Sequence, residues 1–308
     1  LLNIKDTLSA EYGNLPVLLF APFIRYFGNN NVAYCSLAYI LYGIPAVSLL
    51  VLYLVRVMKK CGFWKQNQKI WTYAAFLCPA MLLPVLAGYL DIIGVVWIGV
   101  MLNLSLDWDY GSVTVLKDLV FVFLSVMLLF SRRWYAFYIV GFYFCFAAEE
   151  AGRQFTARKI QWKRIRNLLC NLILIAGISC LFIFMLNREV FSVFLGGNYK
   201  EAYAAYKIRP TYMDFFKAIR NLGGIFSGFA AIGFASLGIR RQTRKYWIKI
   251  VVPPAAAGIL FGTVQSMGIH HLYLILPHLI HLEGARIVIV FAFLKQVRWA
   301  EDLLTALI

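Results

Sequence analysis

The chain has 308 residues, of which 62% are hydrophobic and 14% charged, whereas soluble domains average about 45–50% apolar residues. That excess cannot be buried in a water-soluble core, which excludes an ordinary soluble enzyme. The net charge is +16, and two explanations stay open: basic cytoplasmic loops facing anionic headgroups, or recognition of a phosphate-bearing substrate.

Apolar segments recur along the whole chain and predict membrane-spanning helices. A helix needs about 20 residues to cross ~30 Å of hydrocarbon. Residues 32–57, 70–90 and 167–186 are apolar on all sides, unlike the alternating strands of a membrane barrel. We therefore predict an all-α, polytopic transmembrane protein with about eight to nine spans. Residues 1–308 form a single transmembrane domain, since no linker or repeat divides them.

Three densely basic segments, residues 56–69, 153–166 and 240–249, are predicted to be cytoplasmic. The outer face then carries the loop end at residues 1–31, Asp91, the loop at residues 187–221, and the stretch from His270. Tyrosines and basic residues alternate in the loop 187–221, which suits an amphipathic helix in the interface. This segment is either a lid over a site or an aromatic anchor.

The topology between Asp91 and the basic segment at Arg153 has two solutions. An odd number of crossings is required, and three short crossings or one crossing with re-entrant pieces both satisfy it. We favour three, which puts residues 107–110 inside and Arg132 and Arg133 outside.

Asp91 is the first candidate functional residue, because a polar group at membrane depth is costly unless it pairs or lines a wet cavity. It follows one apolar segment and precedes another, with no basic residue nearby in sequence. The structural explanation is an acid that caps the next helix or meets headgroups. The functional explanation is a carboxylate that binds a divalent metal or activates an acceptor.

The histidines form the second candidate group. They are His270, His271, His278 and His281. On a regular helix of about 3.6 residues per turn they would share one face, although Pro277 makes that regularity doubtful. Glu283 lies near, but the spacing matches no catalytic zinc signature. Hydrogen bonding to lipid or sugar phosphate is the simpler interpretation; donation to a pyrophosphate or an acceptor is the alternative.

Arg132 and Arg133 precede Trp134 and Tyr135, and arginine can bind phosphate in a fork. An outer position for this pair departs from the positive-inside rule, and an anionic substrate would explain it. The other carboxylates are expected at the surface; they are Asp6, Glu11, Asp107, Asp109, Glu149, Glu150 and Asp214. The six cysteines show no metal or disulfide spacing, and no Walker loop, dinucleotide fingerprint or nucleophile elbow is present.

Several segments, in chain order, resemble the polytopic glycosyltransferases of the C-type fold, which take sugars from polyprenyl-phosphate donors. Residues 11–16 (EYGNLP), continuing to residues 27–30 (FGNN), resemble the end of that family's first outer loop. Residues 84–91 resemble its third helix, which delivers an acid to the second outer loop. Residues 132–134 (RRW) resemble the basic turn between the fifth and sixth helices, and residues 194–206 match the position of the large loop after the seventh.

The resemblance extends to a later outer-face segment of some bacterial members, and it implies a set of site residues. The implied substrate- or phosphate-binding residues are Asp91, Arg132, Arg133, Gln265, His270, His271 and Tyr273. The family's principal acid follows its first membrane helix, so we expect the catalytic base and that helix upstream of Leu1 in an N-terminally truncated chain. Asp91 is then a metal or phosphate ligand.

The function implied by the resemblance is transfer of a sugar from a polyprenyl-phosphate donor to a glycan, lipid or protein acceptor on the outer face. A divalent cation, Mg²⁺ or Mn²⁺, is the possible cofactor, and membrane lipids are partners; nucleic acid is not. The location is the bacterial plasma membrane, in cell-envelope synthesis. A transporter or flippase of a lipid-linked or anionic solute is the alternative, and a structural membrane subunit is the third hypothesis.

Overall fold

The computed structural model describes residues 15–27, 30–62, 79–158, 160–188, 191–192, 217, 220, 224–239, 243–264 and 266–294. These residues form helices and no strand, which confirms the all-α prediction for the part described. The helices are α1 (Leu15–Phe27), α2 (Asn31–Lys60), α3 (Pro79–Leu86), α4 (Ile92–Ser105), α5 (Val115–Ser131), α6 (Tyr135–Ala157), α7 (Trp162–Leu186), α8 (Gly224–Ile239), α9 (Arg244–Val264) and α10 (Leu276–Leu294). A short 3-10 turn, Ile269–Leu274, precedes α10. Most of the predicted interfacial segment 187–221, and Gln265, lie outside the described residues.

Among the described residues, three helices are long and apolar enough to cross a membrane. They are α2, α7 and the Tyr246–Val264 part of α9. Their surfaces carry exposed apolar side chains, such as Ile173 (70% exposed) and Met185 (73% exposed) on α7, which water would not favour. Other apolar helices are shorter, including α4. The chain therefore has the character of a membrane protein, with three spans supported by length and composition.

The helices run back and forth between two ends of the bundle. Three helices, α4, α5 and α6, begin between Asp91 and Arg153, but none of them is among the three candidate spans, so the number of crossings in this region stays a prediction. We call the end that contains residues 86–91, 132–134 and 266–274 the Asp91 end. The opposite end, which contains the turn at residues 106–114 and the C-terminal part of α6, is the Glu149 end.

Close packing of α6 on α9 holds the middle of the bundle. A Cβ added at Gly141 of α6 would lie 2.5 Å from the carbonyl oxygen of Pro253 on α9, so only glycine permits this approach. Gly94 plays the same part beside Asp91, because a Cβ there would overlap the ring of Tyr135. Small residues thus bring the helices that carry the polar side chains into contact.

Candidate functional site at the Asp91 end

Asp91 and Arg132 form a buried ion pair. The Asp91 carboxylate is 0% exposed and accepts a hydrogen bond from Arg132 Nε through its Oδ1 atom. The Tyr135 hydroxyl donates to the backbone carbonyl of Asp91 at 2.7 Å. Arg132 comes from the turn between α5 and α6 and Tyr135 is the first residue of α6, both about forty residues from Asp91 in sequence. The acid that has no basic neighbour in sequence acquires one by folding.

Asp91 does not cap α4 through its side chain. It occupies the N-cap position, but its side chain makes no capping hydrogen bond, so the capping part of the structural explanation is wrong. Its Oδ2 atom is buried without a hydrogen-bond partner. Burial raises the pKa of the Asp91 carboxyl above its ordinary value, while the guanidinium of Arg132 acts in the opposite direction. The site therefore holds a carboxylate whose charge depends on one cation.

His270 and His271 lie beside this pair, on the 3-10 turn between α9 and α10. The His270 ring stacks on Tyr89, with ring centroids 4.4 Å apart, and the centroids of His270 and His271 are 3.9 Å apart. Trp134 meets His271 edge-on at 5.4 Å. The predicted outer-face arginine and the two histidines thus share one aromatic environment at the Asp91 end.

The two imidazoles are neutral donors at neutral pH. Burial lowers the pKa of His270 and lowers that of His271 well below its ordinary value. The backbone N–H of Gly268 donates to His271 Nδ1 at 2.9 Å, so the ring proton of neutral His271 is on Nε2. An N–H donor of this kind can bind a phosphate oxygen without a desolvated positive charge.

The remaining predicted site residues have different surroundings. Tyr273 is fully buried, and its hydroxyl donates to the carbonyl of Met81 at 2.7 Å, which ties the 3-10 turn to α3. Arg133 is half-buried next to Arg132 and interacts with other groups. Gln265 is outside the described residues. Asp91, Arg132, His270 and His271 are therefore the predicted residues that the structure brings together, with Tyr273 beside them.

The four histidines do not share one outer face. Pro277 lies in the first turn of α10, and the helix that begins at Leu276 is separated from the turn that holds His270 and His271. His278 and His281 are 0% exposed within the bundle. The prediction of a common outer-face cluster is wrong for these two, because the break before Pro277 changes the helical register.

An apolar cavity of about 470 Å³ approaches the same end between α1, α5 and α7. Its wall includes Leu15, Phe123, Phe130 and Leu186. Phe130 lies two residues before Arg132 on the same chain segment. The cavity wall consists of apolar side chains, and Arg132 is not part of it.

At the Glu149 end, a group of charged residues also lies inside the protein. Glu149 and Glu150 are 9% and 3% exposed, so their predicted surface position is wrong. Lys249 of α9 lies 3.4 Å from Glu149 and donates to the carbonyl of Ser105 at 3.1 Å. Arg164 lies 3.5 Å from Glu150. Two consecutive acids at the polar end of an apolar helix gave no sequence signal for burial, because two of their basic partners, Lys249 and Arg164, come from other helices.

A polar cavity of about 490 Å³ opens at this end, with Lys60, Tyr110, Glu149 and Arg153 in its wall. Asp107, whose predicted surface position is confirmed by a 58% exposed side chain, pairs with Arg56 and with Lys60 at 2.8 Å. The hydrogen bond from Lys60 holds the pKa of Asp107 below its ordinary value. Charge at this end is shared among several partners.

Sequence reasoning missed the aromatic residues that enclose the Asp91 pair. Tyr89 and Tyr34 lie there because the turn after α3 bends back at Gly88, whose φ of +87° favours glycine. The Tyr34 hydroxyl donates to the Gly88 carbonyl at 3.1 Å. The sequence showed these residues only as tyrosines near the predicted ends of membrane-spanning helices.

Within the described ranges, no group of three or more His, Cys, Asp or Glu residues could hold a metal ion. Asp91 supplies one unpartnered oxygen, Oδ2, and Arg132 occupies the other side of the carboxylate. Asp91 Oδ2 could supply one oxygen ligand to a divalent ion, and the remaining ligands would come from the substrate or from residues outside the described ranges.

No protein-family model, no curated protein and no solved structure matches this chain.

Proposed function

We propose that this chain is a membrane glycosyltransferase that transfers a sugar from a polyprenyl-phosphate donor to an acceptor at the Asp91 end. The observation that carries the proposal is the assembly of Asp91, Arg132, His270 and His271 from three separate parts of the chain. A buried acid, a guanidinium and two neutral imidazoles suit recognition of a phosphate more than a structural contact.

The apolar cavity supports a lipid-linked donor. Its wall on α5 runs from Leu119 to Phe130, a length of about 16 Å at 1.5 Å per residue. A polyprenyl chain lying there would have its phosphate near Arg132, the second residue after Phe130. The amphiphilic shape of the donor matches an apolar cavity whose wall includes the last turns of α5, the helix that precedes Arg132.

The membrane placement in this proposal follows the charge distribution. The basic ends of α2, α7 and α9 meet at the Glu149 end, which belongs in the cytoplasm by the positive-inside rule. The Asp91 end then faces the outside of a bacterial plasma membrane. About eight to nine crossings remain part of the proposal, with the helices shorter than α2 and α7 completing the count.

In the reaction, the acceptor hydroxyl attacks the anomeric carbon, and the bond to the polyprenyl phosphate breaks. Arg132 and the N–H groups of His270 and His271 stabilise the negative charge that develops on the departing phosphate. Asp91 positions Arg132. The described residues offer no second acid at this end for a catalytic base, so the proposal takes that base from residues outside them.

A divalent cation, Mg²⁺ or Mn²⁺, would take Asp91 Oδ2 and oxygens of the donor phosphate as ligands. Its chemistry when bound would be neutralisation of phosphate charge. The acceptor in this proposal is a glycan, lipid or protein of the cell envelope.

The test uses membranes containing the full chain and a radiolabelled polyprenyl-phosphate sugar. Arg132→Lys keeps the charge beside Asp91 but cannot bind phosphate in a fork, so we expect kcat/KM for transfer to fall about tenfold or more, the loss of one charge-assisted hydrogen bond of ~1.5–3 kcal/mol. The matched control is Arg166→Lys, an exposed arginine of α7 near the Glu149 end. Equal transfer by both variants, or no transfer by the unmodified chain, contradicts the proposal.

A transporter of a lipid-linked or anionic solute is the second candidate. The observation that favours it is the Pro253-Pro254 pair inside α9, the kind of interruption found in transporter helices. Flux of a labelled lipid-linked sugar across vesicles without formation of a glycosylated product would support this function over the transferase.

A further inference from the structure

One face of α6 carries a line of buried polar side chains through the bundle. Tyr135, Tyr138, Cys145 and Glu149 are each 9% exposed or less. Their spacing keeps them on one side of the helix. Tyr135 and Glu149 are separated by about 21 Å along the axis at 1.5 Å per residue, which is most of the hydrocarbon thickness.

Side chains from α2 and α10 fill the long interval between Tyr138 and Glu149. The Tyr138 hydroxyl lies 2.8 Å from His278 Nε2. The ring centroids of His278 and His281 are 6.0 Å apart, and those of His281 and Tyr53 are 4.9 Å apart. All four side chains are 0% exposed. Residues from two further helices thus complete the line that α6 begins.

Each end of the line meets a polar site. Tyr53 is close enough to Glu149 to interact with it electrostatically, and Glu149 lies in the wall of the polar cavity at its own end. At the other end, Tyr135 interacts with Tyr138, and its hydroxyl is bonded to the backbone of Asp91. The buried groups therefore lie in a row between the polar cavity and the Asp91 site; Tyr138 and His278 are in hydrogen-bond contact, and the Tyr53 hydroxyl is buried without a hydrogen-bond partner.

Hydrogen bonds between helices also stabilise membrane bundles, and that role explains single buried groups. His281 Nε2 donates to the carbonyl of Leu50 at 3.0 Å, a contact that an amide side chain could make equally well. A row of imidazole, phenol and carboxyl groups differs from such contacts because each member can both accept and release a proton.

We propose that Glu149, Tyr53, His281, His278, Tyr138 and Tyr135 conduct protons between the polar cavity and the Asp91 end. A proton enters from water in the cavity, each group accepts one proton as it releases another to the next, and a proton leaves to water at the far end. Between Tyr138 and His278 the transfer is direct, and at the other steps the proposal requires bridging water. No electron moves and no covalent product forms. This inference requires the bundle to cross the bilayer, but it does not depend on sugar transfer.

The experiment uses the purified full chain in vesicles of phosphatidylcholine and phosphatidylglycerol that enclose a pH-sensitive dye. A potassium gradient with valinomycin sets an inside-negative potential, and the rate of internal acidification is measured. His281→Gln keeps an N–H donor for Leu50 but cannot relay a proton. Tyr138→Phe keeps the ring and removes the hydroxyl. The matched control is Tyr42→Phe, a buried tyrosine outside the line whose hydroxyl donates to Pro16 at 2.9 Å.

We expect the unmodified chain and Tyr42→Phe to acidify the vesicles faster than lipid alone, and His281→Gln and Tyr138→Phe to lose that excess. If His281→Gln does not give a folded protein, as judged by thermal unfolding, Tyr138→Phe decides alone. Acidification no faster than in protein-free vesicles overturns the inference, as does full flux through a folded His281→Gln or Tyr138→Phe. Because no sugar donor is present, this result is separate from the outcome for glycosyl transfer.

Discussion

The two ends of the bundle bury charge in different ways. At the Asp91 end, one carboxylate of 0% exposure is paired with one guanidinium. At the Glu149 end, Glu149 and Glu150 share Arg153, Arg164 and Lys249, and the polar cavity adjoins them. The stability of a buried charge with one partner depends on that single residue. A carboxylate that shares several cations keeps some of them when one is substituted. Electrostatic sensitivity is therefore expected to be concentrated at the Asp91 end.

The largest effect is expected from Arg132→Met. This substitution leaves Asp91 buried without a cation, and the free energy of unfolding should fall by about 3–5 kcal/mol, as for other broken buried pairs. Urea unfolding in detergent micelles measures it. Adding Asp91→Asn to Arg132→Met should restore part of the stability, because the uncompensated charge is removed.

Arg153→Met is the matched variant at the other end. Its side chain is 47% exposed, and its partners Glu149 and Glu150 retain Lys249 and Arg164. We expect a loss of about 1 kcal/mol or less. If Arg153→Met costs as much as Arg132→Met, the contrast between the ends is wrong.

A medium effect is expected from titration of His271. Its pKa is lowered in the folded state, so below the ordinary value of about 6.5 the unfolded chain binds the proton more readily. The stability contributed by the Gly268 to His271 hydrogen bond is complete above that value and is lost as pH falls through the lowered pKa. The expected loss is about 0.5–1.5 kcal/mol.

Thermal unfolding across this range, compared between the unmodified chain and His271→Gln, measures the His271 contribution. His270 contributes with the same sign, and Asp91, with its raised pKa, with the opposite sign. The difference between the two proteins removes both of these contributions, and Arg132 stays charged throughout. Parallel pH profiles for the two proteins would show that His271 keeps its charge state.

The contrast between the ends also explains what the sequence could reveal. Hydropathy alone predicted the all-helical membrane character, because lipid forces backbone hydrogen bonds into helices. Asp91 was recognisable as an isolated acid between apolar segments. The pairing of Asp91 with Arg132 was not recognisable, because Arg132 becomes a neighbour of Asp91 only when α4 and α5 pack together.

Burial of Glu149 and Glu150 was unpredictable for a related reason. Their segment also contains Arg153, which by itself suggests a solvated basic loop. Lys249, one hundred residues later in the sequence, makes burial of Glu149 tolerable, and only the packing of α6 on α9 brings them together. For His278 and His281, a break at Pro277 altered the register on which the sequence argument depended.

The smallest effect is expected from Asp107→Asn. Asp107 has two cationic partners, Arg56 and Lys60, but its side chain is 58% exposed, so water and salt screen both interactions. We expect a loss of about 0.2–1 kcal/mol at neutral pH, shrinking further in high salt. The pKa of Asp107 is lowered in the folded state. The stabilising contribution is therefore present at pH above about 3.9, the pKa in the unfolded chain, and disappears as the pH falls through the lower pKa of the folded protein. Denaturant unfolding of the unmodified chain and of Asp107→Asn, at neutral and acid pH and at low and high salt, measures this contribution. If Asp107→Asn lowers the free energy of unfolding about as much as Arg132→Met does, and salt does not change that loss, the Glu149 end also depends on single ion pairs.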